Sequence, residues 1–261
     1  NIYEITSVRQ AEQRKLPTSG SRIEPGNQII DLSNSNEDFH QFSLTNEDTA
    51  IVAVPSYSGR VPSTAAERIA KIQGNGAKAI LFACMQPAYE DTLVELQDIV
   101  QQAGFTVISA IAAVAEHSIA HRYAKNRPDK DDYGHLRAFA EQIEDKLEEM
   151  TFPLLQYQAT DLIESSKAGI VPKATKACTQ CGLCASRCPV GAIDKNNPAK
   201  VDKKSVSRAC DVSQYVPIMQ EDKRIASGYR KYDAQEGMYC AKRMRAVSLM
   251  HHFGHPFENY V

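Results

Sequence analysis

Four of the chain's seven cysteines fall within eleven residues: Cys178, Cys181, Cys184 and Cys188, spaced C-x2-C-x2-C-x3-C in the run CTQCGLCASRCP, with Pro189 directly after the last. So many thiols in one short run form a metal or cluster pattern rather than a disulfide ladder. Three cysteines two residues apart can wrap one face of an iron–sulfur cube in a tight turn. Neighbouring amides then reach the cluster sulfurs, and Gly182 relieves the crowding. Tetrahedral zinc is the competing reading. It usually takes two C-x2-C pairs separated by a longer spacer, whereas here the cysteines form one run.

The run is the one used by bacterial ferredoxins. When two clusters are present, the first three cysteines share a cluster with the last cysteine of a second run, and the fourth serves the other cluster. The best frame for a second run begins at Cys240, in CAKRMRAVSLM, but Arg243, Ala246 and Met250 occupy its other ligand positions. A weaker frame from Ser205 to Pro217 contains Cys210 alone. Arginine does not deprotonate, alanine has no donor and a thioether is a poor substitute for thiolate, so a second complete cluster is not expected. Cys178, Cys181 and Cys184 are ligand candidates for one cluster. The fourth ligand is Cys188, Cys240 or Cys210; three-cysteine ligation of a 3Fe-4S cluster, or of a 4Fe-4S cluster with one labile iron, is the alternative.

Ahead of the cysteines, apolar runs alternate with amphipathic stretches from Asn27 to Met150, as in βαβ units around a parallel sheet. Gln28–Leu32, Ile51–Pro55, Ala79–Ala83 and Phe105–Ile111 read as buried strands, and Asn1–Ile5 as a further one. Thr64 and Glu67 form a capping-box pattern for a helix expected to end at Gly74. A second helix is expected over Glu90–Ala103, with Leu93, Leu96, Ile99, Val100 and Ala103 on one face. A third follows Asp131, with Leu136, Phe139, Ala140, Ile143, Leu147 and Met150 at helical spacing. After Met150 the periodicity fades into a connector with a short helical piece around Thr160–Ser166. The expected division is a first domain over 1–152, a linker over 153–172 and a cysteine-bearing module over 173–261, two units being the ordinary outcome for 261 residues.

A formal charge of −2 gives no field suited to general nucleic-acid binding. The longest nearly apolar run, Phe105–Ala115, is too short for a bilayer. No secretory signal opens the sequence as given, and the cysteine usage fits a reducing interior, so the expectation is cytoplasmic with no membrane partner.

Taken together, PSYSGRVP at 55–62, AYEDTL at 88–93, AEHSI at 115–119, RPDKDD at 127–132 and PKATKACTQCGLCASRCPVGAID at 172–194 occur in an order and spacing that resembles the flavodoxin/ferredoxin fusion proteins of anaerobic bacteria and archaea. The resemblance implies a flavodoxin-like, doubly wound parallel sheet in the order 2-1-3-4-5, followed by a small α+β ferredoxin-like module. It also implies FMN at the carboxyl edge of the strands, electrons passing between flavin and cluster, and a redox partner protein. On this reading the loop Ser56, Tyr57, Ser58, Gly59 and Arg60 borders the flavin ring, with Tyr57 stacking on it and Gly59 and Arg60 beside it. An ordinary turn after a buried strand is the alternative. Two loops depart from the family pattern. The stretch after the first strand, TSVRQAEQRK, has Thr6 and Ser7 but none of the glycines of a phosphate loop, and TSGS at 18–21 comes late. CMQP at 84–87 replaces the family's Gly-Asn-Arg type of sequence.

Among other signals, GNGAKA at 74–79 follows a helix and precedes a strand, the reverse of a dinucleotide fingerprint, and reads as a helix stop. Cys84 reads as a packed thiol. His117 suits a structural or a cofactor-edge role equally, and His251, His252 and His255 read as a solvated tail. From Lys200 to Arg245 basic residues outnumber acidic ones 11 to 6, which suits either a solvated surface or a docking face for an acidic redox partner. The leading expectation is an electron-transfer protein or reductase component without its own acid/base pair. A scaffold that has lost redox function, serving as a binding module, and a zinc-bound module are the alternatives. Oligomeric state is not legible.

Overall fold

The computed structural model describes residues 2–6, 28–57, 59–85, 91–116, 124–149, 173–174, 176, 178–186, 188, 190–206 and 219–220. Five strands form one sheet: β1 (Ile2–Thr6), β2 (Gln28–Asp31), β3 (Thr49–Pro55), β4 (Lys78–Met85) and β5 (Thr106–Val114). Their spatial order is β2-β1-β3-β4-β5, and every neighbouring pair is parallel. The order is the one expected, and the class is α/β.

The register follows from side-chain alternation. Ala50, Val52 and Val54 of β3, Ala79 and Leu81 of β4, Val107 of β5, Ile5 of β1 and Ile30 of β2 join one buried core. Two helices contribute to it. Helix α1 (Ser63–Ile69) supplies Ala65 and Ile69, and α2 (Thr92–Gln102) supplies Leu96 and Val100. Each fully buried aliphatic side chain contributes about 1.5–3 kcal/mol, an upper estimate because the unfolded chain is not fully extended. Ala53 and Cys84 point to the other face and pack with Phe82 and Ala115, so Cys84 is a packed thiol there.

Helix α1 differs from its sequence expectation at both ends. It starts at Ser63 with Pro62 at the N-cap and no side-chain cap bond, so Thr64 and Glu67 are not in capping-box positions. Proline's fixed φ suits the entry to a helix. The helix stops at Ile69 rather than Gly74 because the chain beyond it is claimed by tertiary pairing: the Gln73 N–H donates to Phe42 O and its carbonyl accepts from Leu44 N–H. Gly74 instead forms part of the turn into β4.

The pairing of β4 with β5 slips once. Ala79 pairs with Val107 and Ile80 with Ser109, leaving Ile108 as the extra, fully buried residue. Helix α3 (Lys130–Glu149) packs against β5, and Lys146 Nζ donates to the Ile108 carbonyl at 2.6 Å. Burial at that contact lowers the Lys146 pKa. Leu136, Phe139, Ala140, Ile143 and Leu147 are half-buried, and Glu141, Glu144, Asp145 and Glu148 are exposed, as amphipathic spacing predicts.

Helix α3 is capped reciprocally. Asp129 Oδ1 accepts the N–H groups of Asp131 and Asp132, while Asp132 Oδ2 accepts the Asp129 N–H at 2.8 Å. The Arg127 guanidinium pairs with Asp132 and, at 3.3 Å, with Asp129.

Of the cysteine-bearing module, the structure describes a short antiparallel pair, β6 (Lys173–Ala174) with β7 (Met219–Gln220), and two single-turn helices, α4 (Leu183–Ser186) and α5 (Lys203–Val206). The expected linker and the helical piece around Thr160–Ser166 lie outside the described residues. No helix among the described residues is long and apolar enough to cross a membrane.

Candidate metal centre and sheet edge

The cysteine run folds as a curl followed by a turn of helix. Gln180 (φ 57°) and Gly182 (φ 75°) both take left-handed backbone, which Gly adopts without cost and Gln does not. The curl feeds α4, where the Ser186 N–H donates to Gly182 O at 3.0 Å. Cys178 is half-buried, Cys181 exposed, and Cys184 and Cys188 buried. The two buried thiols belong to one small apolar group with Ala185, Ala192 and Ile193, against which Val190 and Val201 pack.

A closed loop backs this group. Ile193 and Val201 form an antiparallel bridge, the Asp202 N–H donates to Ala192 O, and Asp194 Oδ1 accepts from Asn196 and Asn197 N–H. Inside it, the Ala192 N–H donates to Cys188 Sγ at 3.3 Å. At the exposed end, the Leu183 N–H lowers the Cys181 thiol pKa, helped by the Thr179 side chain and the Cys181 N–H and opposed by slight burial.

Iron–sulfur clusters bind thiolate, and amide N–H groups aimed at sulfur favour that anionic form. The donor set therefore fits such a group: soft sulfur ligands, amide donors at Cys181 and Cys188, and an apolar backing for Cys184 and Cys188. A single zinc needs its donors about 2.0–2.3 Å from one point. Among the described residues, no three His, Cys, Asp or Glu side chains are gathered to hold one ion. Pro189, Cys210, Cys240 and the histidines at 251, 252 and 255 lie outside the described residues.

The second candidate region is the carboxyl edge of the sheet. Tyr57 and Arg60 bond backbone to backbone in both directions, at 3.0 and 3.1 Å, and Gly59 (φ 76°) makes the turn between them. Ser58 lies outside the described residues. The Tyr57 side chain is 38% exposed. Arg60 bonds Glu95 of α2 with two nitrogens, Nε at 2.9 Å and Nη2 at 2.7 Å, and the same carboxylate accepts the Val61 N–H at 2.8 Å. The hydrogen bonds to Glu95 raise the Arg60 pKa, with burial opposing. Ser56 and Thr92 hydroxyls meet at 2.7 Å, and Asp91 N–H donates to Gly59 O.

The loop that sequence reading assigned to a flavin border is thus latched to the start of α2. Sequence reading missed Glu95 and Thr92, whose partners lie 35 and 36 residues away. Thr6, from the expected phosphate loop, is buried at the end of β1, where its carbonyl accepts Leu32 N–H. Ser7, residues 18–21, Gln86, Pro87 and His117 lie outside the described residues.

Residues 172–194 match a family model described as a 4Fe-4S binding domain. The match takes in all four cysteines of the run and identifies this segment as an iron–sulfur cluster-binding one. No curated protein matches the chain.

Proposed function

We propose that the protein is an electron carrier holding one 4Fe-4S cluster through Cys178, Cys181, Cys184 and Cys188. The observation that carries this reading is the match of residues 172–194 to a 4Fe-4S binding domain over a run with four thiols at cluster spacing. The fourth position goes to Cys188 because it shares one buried group with Cys184 and its sulfur already accepts an amide hydrogen bond. When bound, the cluster supplies a reversible one-electron store. The chain's own residues supply thiolates, amide dipoles that stabilise negative charge on sulfur, and an apolar wall that limits water on the Cys184 and Cys188 side. Its role is to pass electrons to a redox partner protein in the cytoplasm.

The test is redox spectroscopy on anaerobically prepared protein. Broad visible absorbance near 400 nm, partly bleached by dithionite, with an electron paramagnetic resonance signal appearing on reduction, is the expected result. A colourless protein with stoichiometric zinc would assign the run to a zinc module. A colourless protein lacking any metal after reconstitution would leave the redox-silent scaffold.

A second cofactor, FMN at the carboxyl edge, is favoured by one observation. Tyr57 stands half-exposed after β3, beside the left-handed Gly59, in a sheet of order 2-1-3-4-5. Arg60 would hold that loop in place through Glu95 while Tyr57 stacks on the ring. Incubation with FMN followed by desalting tests it: retained absorbance near 450 nm that Tyr57→Ala reduces is the expected outcome, and complete loss of flavin on desalting would remove it.

A further inference from the structure

The segment that carries the cysteines has a charge opposite to that of the rest of the chain. From Lys173 to Lys204 it contains seven Lys or Arg and two Asp, a formal +5, while the whole chain is −2, leaving −7 for everything else. Lys176, Lys195, Lys200 and Lys203 are exposed. The two acids are both engaged locally: Asp194 accepts two amides and stands 3.9 Å from Lys200 Nζ, and Asp202 accepts the Ser205 hydroxyl. A bound cluster with its thiolates carries about −2 of its own and leaves the segment positive.

The thiols are not equally placed. Cys184 and Cys188 face an apolar interior, whereas Cys181 is exposed and the next apolar side chain, Leu183, is 44% exposed. Of the four thiols only Cys181 is exposed, so the Cys181–Leu183 edge is where a partner could come nearest to a group these thiols would hold. An apolar contact with charge around it is the arrangement found where proteins meet transiently. A compact segment of this length has a radius of gyration of about 8 Å, close to the Debye length of about 10 Å at 0.1 M salt. The segment's own positive charges therefore lie within about one Debye length of a partner at that edge.

We infer that the cysteine-bearing segment docks an acidic electron-transfer protein at the Cys181–Leu183 edge, with the exposed lysines of the segment supplying the attraction. The inference rests on the cluster reading. In the transfer itself one electron leaves the reduced cluster, which is oxidised, and enters the partner's acceptor; no atom or proton moves. Attraction of this kind acts mainly on the association rate and weakens with salt.

The experiment uses the full chain with its cluster, reduced by dithionite and freed of excess reductant. It is mixed by stopped flow with two haem acceptors whose iron goes from ferric to ferrous: the acidic soluble domain of cytochrome b5 and the basic cytochrome c. Raising salt from about 0.05 to 0.5 M is expected to slow transfer to cytochrome b5 about tenfold or more, with no slowing for cytochrome c. Reversing Lys176, Lys195, Lys200 and Lys203 to Glu changes the charge by two at each position, taking the segment from +5 to −3, and is expected to invert that pattern with iron content unchanged. Leu183→Ser is expected to slow transfer to cytochrome b5 about threefold or more at both salt concentrations. A salt-independent rate to cytochrome b5, or faster salt-sensitive transfer to cytochrome c, overturns the inference. So does tighter binding of a short single-stranded DNA than of cytochrome b5, which would point to nucleic acid. Absence of iron in the starting protein would instead defeat the cluster reading, so the two failures are distinguishable.

Discussion

The Ala192 amide donates to the Cys188 sulfur at 3.3 Å, from within the apolar group that also buries Cys184. An amide bond to sulfur is the kind of outer contact that orients a cluster ligand, and on this geometry Cys188 is proposed as the fourth ligand. Cys188→Ser is expected to lower iron to about three per chain or fewer, with a 3Fe-4S type resonance in the oxidised state. Retention of a full complement of iron would move the fourth ligand to Cys210 or Cys240.

Glu95 accepts two bonds from Arg60 and one from Val61 N–H, and both side chains are less than one-fifth exposed. Removing its charge leaves a sheltered guanidinium with weakened partners. Glu95→Gln is expected to lower unfolding stability by about 1–3 kcal/mol in urea titration. A change within experimental error would mean that the loop after β3 does not depend on this latch.

A Cβ built on Gly74 would come within 2.5 Å of the Phe105 ring and 2.7 Å of the Gly104 carbonyl carbon. The ring could turn aside, but backbone cannot. Gly74→Ala is therefore expected to destabilise by about 1–3 kcal/mol, read as a lower melting temperature. An unchanged melting temperature would contradict the close approach of the two turns.

Asp132 gives the fold a dependence on acid. Burial alone would raise its pKa, but the Arg127 guanidinium and the Asp129 N–H outweigh burial and lower it. A carboxylate depressed in the fold contributes stability that is complete above its unfolded value of about 3.9 and is lost as pH falls through the folded value below that. Stability is expected to fall less between pH 5 and 3 in Asp132→Asn than in the natural chain. Parallel curves would assign the acid sensitivity to other carboxylates.

The strands were legible because β3 and β4 are buried on both faces and read as unbroken apolar runs, and Leu96 and Val100 of α2 were legible through helical spacing. The end of α1 was not. Gln73, beyond the helix end, pairs with the backbone of Phe42 and Leu44, 31 and 29 residues earlier, and no local pattern encodes that. The bulge at Ile108 was hidden for a similar reason, since its carbonyl is satisfied by Lys146 from a later helix. The cysteine spacing named the cluster segment directly, because chemistry fixes thiol positions within a few residues. The Arg60–Glu95 latch joins positions 35 apart and could only be found in the fold.

Iron and acid-labile sulfide, measured together on protein prepared without oxygen, test the central claim most directly. About four of each per chain, falling in Cys181→Ser, is the predicted result. Zinc without sulfide, or no metal even after reconstitution with iron and sulfide, would contradict it.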